Sequence, residues 1–178
     1  MVGEKGGGLL RVVTSNTEPG SIKFLRLYEA FGRFHYQVRG TFRVQFMQGK
    51  GKIEENIPPA TLRIHELTQE VRLEKIVAAL GERAETKMGQ IVGLTCKQPN
   101  GEPGALSTKG KNLFFVRSSP ETGLCEDKLV AVEIYWVDYH GEPYHWCFDE
   151  FIVKNVHERR PGTKVFSSRI QQACGGSQ

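Results

Sequence analysis

The chain has little that would staple or anchor it. Its 178 residues include only four cysteines, Cys96, Cys125, Cys147 and Cys174, widely spaced and in no C-x-x-C pair. At this length such spacing argues against a disulfide framework and fits a reducing, intracellular setting. No stretch approaches the roughly 20 apolar residues that a membrane helix needs. Leu9 and Leu10, after a glycine run, are too short an apolar segment for a secretory leader. No Asn-x-Ser/Thr acceptor occurs either, so a soluble intracellular protein with no membrane contact is expected.

Catalytic signatures are equally scarce. There is no G-x-S-x-G elbow, and the glycines and lysines between Gly104 and Asn112 have the wrong spacing for a phosphate loop. An E-x-K pattern, the core of a metal-dependent hydrolase site, occurs twice, at Glu126 to Lys128 and at Glu85 to Lys87. Two hits in a chain that is 25% charged mark it as a chance pattern. His145 and Cys147 share a strand face, with His140 and Cys125 as further conceivable zinc ligands. Their spacing matches no structural zinc knuckle. A nuclease built from His140, His145 and Asn155 is no better supported. The sequence therefore assigns no catalytic residue, no metal and no cofactor, and a metal-dependent hydrolase is the least favoured reading. The formal charge of +4, from 24 Lys and Arg against 20 Asp and Glu, is far from that of a histone-like chain.

What the sequence does have is 39% hydrophobic content, enough for a real core, and an uneven distribution of charge. Between Arg33 and Met47, Phe34, Tyr36, Val38, Phe42, Val44 and Phe46 recur at every second position, interrupted at Gly40. Arg33, His35, Gln37, Arg39, Thr41, Arg43 and Gln45 fill the gaps. A period of two predicts a strand or hairpin with one apolar and one basic face. The segment from Arg33 to Lys52 holds no acid, whereas the stretch from Glu121 to Glu150 is rich in carboxylates.

Along the chain, residues 1–8 read as a flexible lead and Leu9 to Thr14 as a short strand. From Ser21, apolar residues at Phe24, Leu27, Tyr28 and Phe31 predict a helix ending at Gly32, although Ile22, Phe24, Arg26 and Tyr28 also alternate as in a strand. Thr61 to Glu66 reads as a strand. Thr68 to Leu80 is the best helix, with a stripe of Leu73, Ile76, Val77 and Leu80 ending at Gly81. From Met88 onward the reading is β, in segments 90–97, 113–117, 129–138 and 144–153, the last two joined by a turn at His140 to Pro143. The loop 98–112 is expected to be a mobile binding loop or disorder. The fold class that results is α+β, a curved or barrel-like antiparallel sheet covered by one or two helices. One globular domain spans 9–160, and 161–178 form a loosely ordered tail.

Two constellations carry function. The basic set, Arg33, His35, Arg39 and Arg43 with Lys50, Lys52, Lys109 and Lys111, points to a binding protein whose partner is DNA or RNA, held by its phosphates. Strand-binding sheets also need aromatic rings on that same face, and here the rings of the segment fall opposite the arginines. The second set is the aromatic hairpin of Tyr135, Tyr139, Tyr144 and Trp146, residue types that anchor protein interfaces. It points to a protein partner or a homodimer.

Overall fold

The computed structural model describes residues 8–20, 22–26, 36–47, 53–57, 60–118, 128–137, 144–154 and 156–168. In chain order the elements are β1 Leu10–Thr17, β2 Ile22–Arg26, β3 Tyr36–Val38, α1 Gly40–Phe46, β4 Ile53–Ile57, β5 Leu62–Leu67, β6 Val71–Arg72, α2 Leu73–Leu80, a 3-10 turn Gly81–Ala84, α3 Met88–Cys96, β7 Asn112–Arg117, β8 Leu129–Val137, β9 His145–Ile152, β10 Glu158–Arg159 and β11 Lys164–Ser168. The class is α+β, as expected. The main sheet has seven strands in the order β1-β5-β11-β7-β8-β9-β3, while β2 with β4 and β6 with β10 form separate pairs.

The sheet is open and mixed rather than barrel-like and antiparallel. β11 runs parallel to β7, and β3 runs parallel to β9, while the remaining neighbours in the sheet are antiparallel. Because successive side chains on a strand alternate between faces, each face carries its own core. On the first face Leu62, Ile64, Phe114, Val132, Ile134, Phe148 and Phe166 pack against α1 and α3. On the second, Leu113, Phe115, Ala131 and Val165 pack against the Leu73, Ile76 and Leu80 stripe of α2. That helix stops at Gly81, whose φ of 58° lies where only glycine is unstrained.

Besides Val71–Arg72, a strand where the helix from Thr68 is expected, three segments differ in type from the sequence expectation. Residues 40–46, expected as strand, are helix. Phe42 and Phe46 satisfy both periods, since a residue two strand repeats away is also one helical turn away. Their rings lie 4.9 Å apart and Phe42 meets Phe148 at 5.7 Å, while Val44, which a strand would have buried, is 37% exposed. Residues 88–96, expected mostly as strand, are also helix, because Met88, Ile91, Val92 and Thr95 make one buried stripe. The helix start is fixed from outside: the Met88 and Gly89 N–H groups donate to the Glu54 carboxylate at 3.0 and 2.8 Å, satisfying donors that a helix cannot satisfy itself. Residues 22–26 are strand, paired with β4, so the alternation there outweighed the helical spacing.

The expected tail contributes β11 to the middle of the sheet, between β5 and β7. Phe166 is fully buried and stacks on Phe114 at 4.3 Å. The loop 98–112, expected as mobile, is clasped around Gln98: its amide donates to Glu102 O at 2.6 Å and Leu106 O at 3.2 Å, and its Oε1 accepts from the Leu106 N–H at 2.9 Å. Asn112 and Lys164 close the far end, through Ser107 and Ala105. The lead before residue 8, the turn at 140–143 and the chain after 168 lie outside the described residues.

Candidate functional site

The strand register sets out the site on the second face, at the end of the sheet that β7, β8, β9 and β3 share. Cys147 is opposite both Tyr135 on β8 and Gln37 on β3. One step along, Glu133 is opposite Asp149, and Arg39, whose N–H donates to Phe148 O at 3.0 Å, leaves β3 beside them. Lys111 enters from the residue before β7. Two transverse rows result, Lys111, Tyr135, Cys147, Gln37 and Leu113, Glu133, Asp149, Arg39, because residues that face one another across paired strands share a side of the sheet.

The second row sets two acids, Glu133 and Asp149, side by side, with Arg39 and Lys111 as cations at the two ends of the rows. Glu133 is fully buried and held by two cations, Lys111 at 2.7 Å and the buried Arg159 of β10 in direct contact. Arg159 also covers the Phe151 ring, 4.4 Å from its centroid. A buried carboxylate needs such partners, since desolvation otherwise costs several kcal/mol. Asp149 pairs with Arg39 at 3.8 Å, and the Lys111 ammonium stands 5.7 Å from the centre of the Tyr135 ring.

Cys147 is the hub. Its side chain is completely buried, beside Tyr135 and Arg39. The interaction with Cys147 holds the Arg39 guanidinium more firmly protonated than usual. Burial first, and then Cys147, push the Tyr135 phenol upward. On the other face, burial and the adjacent Asp149 raise the Glu150 carboxyl. His145, also buried, places a ring nitrogen 3.4 Å from Gln37 Oε1.

The expected basic residues are thus dispersed over two surfaces. Arg39 and Arg43 are exposed and one helical turn apart at the start of α1, and Lys111 lies across the sheet beside Tyr135. Lys109 is exposed on the clasped loop. Arg33, His35, Lys50 and Lys52 lie outside the described residues. The continuous basic strand face is not formed, since the chain turns from β3 into α1 at Gly40.

Of the aromatic set, Tyr135 is half-buried and Tyr144 is 59% exposed, stacked on Trp136 at 6.3 Å. Trp146 is core, its indole N–H donating to Gln98 O at 2.6 Å. Tyr139 lies outside the described residues, as do Cys125, Glu126, His140 and Asn155. Among the described residues no three potential metal ligands come together, and Glu85 of the second E-x-K pattern spends its carboxylate on Lys87 and Arg117. Sequence reading missed Glu133 and Arg159. An acid in the middle of the apolar run LVAVEIYWV was the one available signal, because a charge at a core position demands a partner.

No family model, curated protein or solved structure matches this chain.

Proposed function

We propose that the protein is a binding module that takes a nucleic-acid strand across the β8, β9 and β3 end of the second face. Arg39 and Lys111 would meet phosphates, and the Tyr135 ring would accept a base. The observation that carries this reading is the meeting of Arg39 with Tyr135 on one face, through Cys147. Within the basic segment the rings and the arginines fall on opposite sides. The parallel pairing of β3 with β9 brings in a ring from elsewhere and removes that objection.

Glu133 and Asp149 offset part of the positive charge, so the module would be a modest binder that follows salt closely. Two phosphate contacts on a single strand correspond to a slope of about −1.4 in log affinity against log salt. Fluorescence anisotropy against labelled single-stranded DNA, duplex DNA and RNA, at low and physiological salt, tests this. Binding with such a slope, lost in an Arg39→Glu, Arg43→Glu variant that still melts cooperatively, is the expected result. Silence of the wild type across the panel at low salt overturns it.

A second reading rests on the two ends of β9. Tyr144 and Ile152 are 59% and 64% exposed on β9 and its approach, which suits a protein partner or a second copy of the chain. Size-exclusion behaviour of the wild type against Tyr144→Glu, Ile152→Glu separates this from the first reading. An intracellular location belongs to the proposal as well, and rests on the widely spaced cysteines.

A further inference from the structure

At the opposite end of the same face, β1, β5, β11 and the 3-10 turn surround a second polar group. His65 and Ser167 are buried, 4% and 1% exposed, and the His65 Nε2 lies 2.9 Å from Ser167 Oγ. The other ring nitrogen, Nδ1, is buried and has no hydrogen-bond partner among the described residues. A buried polar atom left without a partner is costly, so such atoms mark places where a ligand or ion completes the structure.

What surrounds His65 is cationic. Arg63 lies two residues back on the same face of β5, directly opposite Ser167, and no carboxylate reaches it within ion-pair distance among the described residues. Arg83, on the 3-10 turn, spends its Nε on Leu80 O at 3.3 Å, and its own carbonyl accepts the Ser168 hydroxyl at 3.2 Å. Both guanidiniums act on the His65 ring. β1 presents Val12 opposite His65, and β11 presents Val165. The neighbouring acid of β5, Glu66, belongs to the other face, where Arg11 holds it at 2.7 Å.

We infer that Arg63, Arg83, His65 and Ser167 form a site for a tetrahedral oxyanion of the phosphate class. The guanidiniums supply charge and paired donors, the His65 Nδ1–H supplies a further hydrogen bond, and the Ser167 hydroxyl, donating to His65 Nε2, holds the ring in that tautomer. The proton on Nδ1 is the tautomer in which Nε2 accepts from Ser167, so a neutral ring already donates toward the anion. A bound anion also offsets the two positive charges that resist a second proton on the ring, so occupancy and His65 protonation favour one another.

The test follows the His65 ring signals by NMR in the intact protein, titrated with inorganic phosphate and separately with a 5′-phosphorylated dinucleotide, at ionic strength held constant with chloride. The expected result is a saturable shift, a titration of His65 that moves toward higher pH when phosphate is present, and at least tenfold weaker binding in Arg63→Gln, Arg83→Gln. Saturation by inorganic phosphate assigns a free oxyanion. Saturation by the dinucleotide alone assigns a phosphate carried on a nucleotide. The Arg39→Glu, Arg43→Glu variant keeps the response, which separates this site from the platform at the other end of the sheet. No saturable shift in the wild type with either probe overturns the inference, as does an unchanged response in the arginine variant. The wild-type titration stands even if that variant fails to fold.

Discussion

Arg39 and Tyr135 both interact with the buried side chain of Cys147, one from the end of the strand that closes the sheet and the other from that strand's second neighbour. A sulfur held between a guanidinium and a phenol ties β3 to β8 through β9. The Tyr135 proton is held more tightly than usual, by burial first and then by Cys147. A tyrosine of ordinary environment ionises near pH 10. On raising pH, Tyr135 should keep its proton beyond that point, and folding should lose stability above about pH 10, where the unfolded chain ionises and the folded one does not. Absorbance titration near 295 nm, compared with Tyr135→Phe, reads this. A Tyr135 component that titrates with ordinary tyrosines counts against the arrangement.

The buried contact of Arg159 with Glu133 predicts an asymmetry. Arg159→Met leaves a fully buried carboxylate with Lys111 alone, and should cost about 3 kcal/mol, near the lower end for breaking a buried pair. Glu133→Leu combined with Arg159→Met should recover most of that loss, since no uncompensated charge remains. Urea unfolding of the three proteins decides the matter, and a single substitution costing less than about 1 kcal/mol would show that water already reaches Glu133.

His65 predicts a dependence on acid. Burial, then Arg63 and Arg83, push its ring down to about 4, against about 6.5 for an unfolded histidine. Between those two values the unfolded chain binds a proton that the folded chain refuses, so stability falls as pH falls through that window. Carboxylates add their own trend. The readout is therefore the difference between wild type and His65→Gln in chloride buffers, which should grow smaller from pH 7 to pH 4 at the wild type's expense. A constant difference across that range contradicts a neutral buried ring.

Glu54 reaches from the small sheet to the first turn of α3. Glu54→Ala removes the acceptor from the Met88 and Gly89 N–H groups and should cost about 1 kcal/mol, as for loss of a helix cap. Glu54→Gln, which keeps one acceptor oxygen but no charge, should cost less. Denaturant midpoints that shift in this order, at constant slope, would support the cap. Equal losses in both variants would place the effect in packing.

Strands β5, β7, β8 and β9 were legible because Val, Ile, Phe, Tyr and Trp runs between turn residues have few other uses, and α2 was legible from its stripe and its closing glycine. α1 was not, since Phe42 and Phe46 fit a strand and a helix alike until Phe148 is placed against them. β11 was not, because Lys164–Ser168 offers only Val165 and Phe166 as apolar residues, and its burial comes from β5 and β7, strands distant in sequence. Of the platform, Arg39, Lys111 and Tyr135 were named beforehand, but in separate constellations. Glu133 was overlooked, and Cys147 was weighed only as a metal ligand.

Local sequence alone determined the α+β character, the position of the central strands and the mild excess of positive charge, because hydrophobic period and composition act through neighbours along the chain. Which basic residue faces which ring, where Glu133 finds its cations, and why His65 keeps a bare nitrogen among arginines were decided only by strand order and register. Those pairings join residues far apart in sequence, and a strand's two faces acquire meaning only when the strands beside it are in place.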